Sequence, residues 1–180
     1  MFFQTILLSS INAINLEGML HMLNTYTQSH LEDWIERFLR GKQITSPSDL
    51  ELIELCRKMN IFIVQHEKRT CMTEICGVYV VSIDSRSDPF QQRCELAHEL
   101  WHILIEGGNN AAMPLQWKQY QEYKANYFSY HFCIPTFMLK NLSLPADQNK
   151  AALLVADIFK VTCEFAKHRL KIYFNKLSRR

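Results

Sequence analysis

The chain has 180 residues, of which 48% are hydrophobic and 21% charged, with a formal net charge of +2. Those values suit one compact domain with a small appendage, and so balanced a charge gives no argument for nucleic-acid binding by the chain as a whole. The six cysteines (56, 71, 76, 94, 133 and 163) form no CxxC pair and no repeated spacing, which excludes a disulfide framework and predicts reduced thiols in a cytosolic protein.

Residues 1–18 carry Phe2, Phe3, Ile6, Leu7 and Leu8, yet the first Lys or Arg is Arg37. A secretory leader needs a basic start and a longer apolar core, so this stretch is read as a dispensable extension, with Met19 and Met22 as alternative starts. No apolar run reaches membrane-spanning length. Residues 29–40 show helical period, with Leu31, Trp34, Ile35, Phe38 and Leu39 on one side. Ser46-Pro47-Ser48-Asp49 predicts the start of a second helix reaching about Met59. Residues 61–64 are rich in β-formers, and residues 75–84 predict one or two strands around Gly77. A helix over about 89–106 follows, with Asp88 as N-cap, Pro89 in its first turn and Gly107-Gly108 as its stop. Residues 114–133 form a third long helix closed by Pro135. Leu144-Pro145 then opens a helical pair over about 147–159 and 163–175. Helices, then strands, then helices is the order of an α+β fold.

Residues 98–102 read His-Glu-Leu-Trp-His. Two histidines four apart lie one above the other on a helix, so both imidazoles can reach one metal ion. Glu99 projects beside the first histidine, where its carboxylate can take a proton from an attacking water. This is the HExxH pattern of zinc hydrolases. Leu96, Ala97, Leu100, Ile103 and Leu104 make the same helix apolar and hence buried. Buried imidazoles and a buried carboxylate need partners, and a metal supplies one.

A catalytic zinc needs a third protein ligand and an open position. The metzincin pattern is excluded, because it would require Gly at 105 and His at 108, which are Ile105 and Gly108. Glu106 lies on the histidine side but projects a further turn past His102. Glu122 is the better candidate. It shares a helical stripe with Ala125, Asn126, Ser129 and Cys133, whose small members let a second helix approach closely. The spacing is also that of a solvated glutamate beside Lys118 and Gln119. Asn126 can brace a histidine ligand through its amide oxygen, or simply pack between helices.

His98-Glu-Leu-Trp-His102, followed by Glu122-Tyr-Lys-Ala125-Asn126-Tyr-Phe128 and Ile134-Pro135, resembles the ImmA/IrrE family of metallo-endopeptidases. The strand ending Ile83-Asp84 and the segment from Ala156 to Leu170 are similar to that family as well. The resemblance spans about residues 45–172. It implies a gluzincin-like zinc site with His98, His102 and Glu122 as ligands and Glu99 as catalytic base. It further implies a small zincin-like domain and an intracellular, cytoplasmic protein that cleaves a helix-turn-helix transcriptional repressor of the same mobile element or operon; some members act instead as antitoxins. The organisation expected is an extension at 1–22, the metallopeptidase domain at 23–140 and a helical segment at 141–180 packed on it. Two positions depart from the family pattern: Trp101 replaces the usual Gly and is expected to pack in the core, and Ser129 replaces an Ala. Neither removes a ligand or the base.

No residue is assigned as the second oxyanion donor; Tyr79, Tyr130, His131 and His66 are the polar aromatics in play. A peptide substrate is expected to add to the sheet edge, with 78–83 as the receiving strand. Two other functions compete. Lys160, Lys167, Arg169, Lys171, Lys176, Arg179 and Arg180 make the C-terminal helical pair basic, which loosely suits a DNA-binding helix-turn-helix. A non-catalytic, antitoxin-like partner is the other alternative.

Overall fold

The computed structural model describes residues 26–106 and 114–178. The N-terminal extension, the Gly107-Gly108 stop and Arg179-Arg180 lie outside them. Helix α1 (His30–Gly41) starts at a capping box: the Glu32 N–H donates to the Ser29 hydroxyl, and the Glu32 carboxylate accepts from the Ser29 N–H at 2.8 Å. Ile35 and Leu39 are buried, and Leu31, Trp34 and Phe38 pack against the same core.

The helix predicted from Ser46 to Met59 is divided. Asp49 accepts from the N–H groups of Thr45 and Ser46, which closes a single 3₁₀ turn at Pro47–Asp49. Leu50 and Glu51 leave helical geometry, and α2 begins afresh at Leu52–Lys58. The turn uses the Asp49 side chain on the residues before it, so nothing carries the helix forward.

The sheet has the order β1-β3-β2, where β1 is Phe62–His66, β2 is Cys71–Ile75 and β3 is Val78–Asp84. β1 pairs parallel with β3, and β2 antiparallel with it. Ile75 faces Val78 across a two-residue turn in which Cys76 (φ 52°) and Gly77 (φ 78°) both have positive φ. That is the type I′ geometry whose twist matches a hairpin. β2 begins earlier than the sequence suggested. β3 is the central strand, with both edges already paired, so it cannot receive a peptide. The edge strands are β1 and β2.

Asp88 caps α3 (Pro89–Trp101), accepting from the N–H groups of Phe90 and Gln91. The helix runs on into a wider π-helical turn at His102–Glu106. α4 (Leu115–Cys133) crosses α3 on its small-residue face, with Ala125, Ser129 and Cys133 buried. Trp101 packs on the Phe128 ring at 5.6 Å. A short α5 (Thr136–Leu139), not read from the sequence, precedes α6 (Gln148–Phe159) and α7 (Cys163–Leu177). One apolar cluster joins residues of all these layers, from Tyr26 to Tyr173.

A buried charged network crosses that core. Fully buried Arg169 of α7 donates to the Ile134 carbonyl and to Thr136 Oγ1, and Thr136 in turn donates to Glu32 at 2.6 Å. Tyr26 and Lys176 also donate to Glu32, while His131 Nε2 stands 3.9 Å from it. Burial opposes the Glu32 charge, but Lys176, Thr136, Tyr26 and Ser29 together hold its carboxyl well below the usual carboxylate range. Among the basic C-terminal residues, Lys160 pairs with Glu51, Lys167 with Glu164 and Lys176 with Glu32, while Arg169 is internal. All six cysteines are free thiols. Among the described residues, no helix is long and apolar enough to cross a membrane.

Candidate metal centre

One stripe of α3 and the π-turn that continues it carries Gln91, Glu95, His98, Glu99, His102 and Glu106. α4 crosses it and presents Glu122. One ligand atom each from His98, His102 and Glu122 lies within 4.8 Å of the other two. His98 Nε2 is 3.2 Å from Glu122 Oε2, and His102 Nε2 is 3.8 Å from Glu122 Oε1. Metal bonds of about 2.0–2.2 Å in a tetrahedral arrangement place neighbouring ligand atoms about 3.4 Å apart. The observed separations bracket that value.

The opposite ring nitrogens are occupied. His98 Nδ1 is 3.0 Å from Asn126 Oδ1, and His102 Nδ1 contacts the Glu106 carboxylate. Both partners are acceptors that suit an Nδ1 proton, the tautomer whose Nε2 would bind a metal on the Glu122 side. Two imidazoles and a carboxylate, oriented from behind, form a donor set that fits a divalent cation. Glu106, which spacing could only place past His102, occupies the bracing position because the π-turn ends on it.

Glu99 points to the other side of His98. Its Oε2 accepts from the Met72 N–H of β2 at 2.8 Å, Oε1 has no hydrogen-bond partner among the described residues, and the residue lines the cleft. Burial pushes this carboxyl above its usual range, while His98 and His102 pull it the other way. The Met72 N–H therefore points away from β3, so the free edge of β2 runs alongside Glu99.

The cleft extends from this cluster toward the start of α7 as a cavity of about 560 Å³. Its walls include Thr70, Glu95, Tyr130, Phe165 and His168. Tyr130 therefore lines the cleft. His131 does not: it is 1% exposed, inside the Glu32 network. His66 and Tyr79 lie on the sheet, away from the cavity lining. Thr70 and Glu95 were not singled out from sequence. The helical stripe of His98 could have drawn attention to Glu95, which lies one turn earlier.

A histidine-bearing helix crossed by a carboxylate-bearing helix, with a small sheet along its flank, defines a small zincin-like α+β domain. The M78 peptidase family, described as the IrrE N-terminal-like domain, matches residues 59–171, and the chain belongs to that family. Membership in a metallopeptidase family implies a bound metal, and the His98–His102–Glu122 cluster is a place where one fits. The chain is 40% identical over 153 residues to the uncharacterized protein YqaB of Bacillus subtilis (strain 168), covering 85% of this chain and 89% of that protein. It is 32% identical over 145 residues to the phage-like element PBSX protein XkdA of the same organism, covering 81% of this chain and 73% of that one. No solved structure gives a significant match.

Proposed function

We propose that the protein is a cytoplasmic, zinc-dependent endopeptidase whose substrate is a helix-turn-helix repressor encoded by the same mobile element or operon. The observation that carries this reading is the pairing of braced imidazoles with Glu122 on one side of His98 and a cleft-lining Glu99 on the other. His98, His102 and Glu122 would hold the ion, which leaves a position for water. When bound, zinc supplies Lewis acidity that activates water and polarises the scissile carbonyl. Glu99 Oε1 takes the proton of the attacking water and passes it to the leaving amine, while the Met72 N–H fixes Oε2. Asn126 and Glu106 keep each histidine in the tautomer that binds metal. The substrate backbone pairs with the free edge of β2, which sets its carbonyl beside Glu99. The mobile-element assignment rests on the likeness to XkdA, whose name places it in a phage-like element. Thr136 to Leu177 contributes to the same core, and most of its described basic residues are already engaged. That leaves little positive surface for the DNA-binding alternative.

The test is metal dependence. Cleavage of the cognate repressor should stop on chelation and return with zinc. Glu122→Ala should weaken zinc binding more than Glu106→Ala, because the first removes a ligand and the second only a brace. A brace is worth about 10–100-fold in metal affinity. Competition against a chromophoric chelator measures both variants. Equal losses, or a greater loss for Glu106→Ala, would show that the wrong carboxylate has been assigned. Chelator-insensitive cleavage would refute the zinc mechanism.

A further inference from the structure

The cavity beyond the metal cluster contains a fixed negative charge that the mechanism does not use. Glu95 lies on α3 one turn before His98 and Glu99, about 5–6 Å along the helix. Its two oxygens are held separately. Thr70 Oγ1 donates to Oε2 at 2.5 Å, and Gln91 Nε2 donates to Oε1 at 2.9 Å. Thr70 is itself buried and aimed, because its hydroxyl accepts from the Asp84 N–H at 3.0 Å. Both donors are neutral. Among the described residues, no cation lies within ion-pair distance of Glu95, although it is half-buried. Each carboxylate oxygen retains acceptor capacity. A partly desolvated, immobilised carboxylate without a counter-charge is stabilised by an incoming cation.

The surroundings specify the shape of that cation's carrier. Tyr130, one helical turn beyond Asn126 on α4, stacks on His168 at 4.3 Å and contacts Phe165 at 4.6 Å. These rings line the same cavity as Glu95. An aromatic wall beside a carboxylate suits a side chain with a long apolar stem and a charged tip, the stem lying on the rings and the tip reaching the carboxylate. Arg69 stands exposed at the lip, beyond ion-pair distance of Glu95, and Lys167 is already paired with Glu164. Neither supplies the missing charge.

We propose that Glu95, with Tyr130 and Phe165, forms a specificity pocket for a lysine or arginine side chain of the substrate, adjacent to the scissile bond. This rests on the peptidase reading of the site and names its substrate class: polypeptides with a basic residue flanking the cleaved bond.

The experiment compares two short peptides that differ only at the flanking residue, lysine in one and norleucine in the other. The zinc-loaded full chain is expected to favour the lysine peptide in kcat/KM by about tenfold or more, as for a hydrogen bond to a charged group. Glu95→Gln preserves the size and one acceptor, and should bring the ratio close to one through KM. Glu95→Lys should turn the preference toward a glutamate peptide. In parallel, fluorescence anisotropy measures binding of labelled versions of the same peptides to Glu99→Gln protein, with and without Glu95→Gln. Cleavage without a basic preference, or a preference that survives Glu95→Gln, overturns the pocket and leaves the peptidase reading standing. Absence of cleavage combined with Glu95-dependent binding of the lysine peptide supports the pocket and removes the peptidase reading. If neither cleavage nor binding distinguishes the two peptides, the pocket is refuted.

Discussion

Replacing both His98 and His102 by alanine is expected to take the bound zinc from about one equivalent per chain to background. In the proposed site the two imidazoles would supply two of the three protein ligand atoms, and their Nδ1 atoms are braced so that little ordering is lost on binding. What would remain is Glu122, whose side chain is 51% exposed and therefore well solvated. A single hydrated carboxylate does not retain zinc against buffer. Each single variant should already lose most of the metal. Elemental analysis of the purified proteins measures this, and a double variant that kept stoichiometric zinc would show that the ion is bound elsewhere.

The second large effect is on stability. Glu32→Gln should destabilise the fold by about 3–5 kcal/mol, the cost of leaving a buried cation without its counter-charge. Fully buried Arg169 reaches Glu32 through Thr136, and Lys176 and Tyr26 bond to the same carboxylate. The amide could replace some hydrogen bonds but not the charge. Urea denaturation measures the loss, and a change under about 1 kcal/mol would contradict the network's role.

The same network makes the protein sensitive to acid. Burial, then the neighbouring Arg169 charge, pushes His131 down to about 3, against the pull of Glu32. The unfolded chain takes up this proton near pH 6.5 and the folded one does not, so folding stability is full above that pH and falls as pH drops toward 3. The slope from this one group is about 1.4 kcal/mol per pH unit. Glu32, held low, acts in the same direction at still lower pH. His131→Gln should remove about one proton's worth of that slope between pH 6 and 4. An unchanged slope in that variant would assign the acid sensitivity to other groups.

The parts of this protein legible in its sequence are those set by local periodicity. Helices α1, α4, α6 and α7 follow apolar spacing, and the structure places them within a residue or two of the expected bounds; α3 starts at Pro89 as its Asp88 cap predicts but ends at Trp101, and only the π-turn carries it to the expected Glu106. The α+β class follows from their order. What failed was set by side chains acting across the chain or out of pattern. Asp49 folds back on Thr45 and Ser46, which ends a helix the Ser-Pro signal had extended. β2 was cut short because Thr70 to Ile75 reads as a polar stretch, and only pairing with β3 makes it a strand. The central position of β3 is a property of the sheet order, which no single strand records.

The site divides in the same way. The His98, Glu99 and His102 spacing declares itself, and the small stripe on α4 singles out Glu122 and Asn126. Glu106 could not be placed, because a regular helix does not predict the π-turn. Glu95 shares the helical stripe of His98, but its meaning comes from Thr70, 25 residues away and just before β2. The acidic residue of most structural consequence, Glu32, looks like an ordinary capping-box glutamate. Its partners Thr136, Arg169 and Lys176 are brought to it only by the fold.

The central claim is that Glu99 is the base of a zinc peptidase, and one measurement addresses it most directly. Wild type and Glu99→Gln, brought to equal zinc content, are incubated with a candidate repressor substrate, and cleavage rates are compared. Gln keeps the size and can still accept from the Met72 N–H, but it cannot take a proton from water. The predicted result is a variant that folds, holds zinc and cleaves at least about 100-fold more slowly. Cleavage by the variant at the wild-type rate would contradict the mechanism. If neither protein cleaved while both relieved repression, a non-catalytic binding partner would replace it.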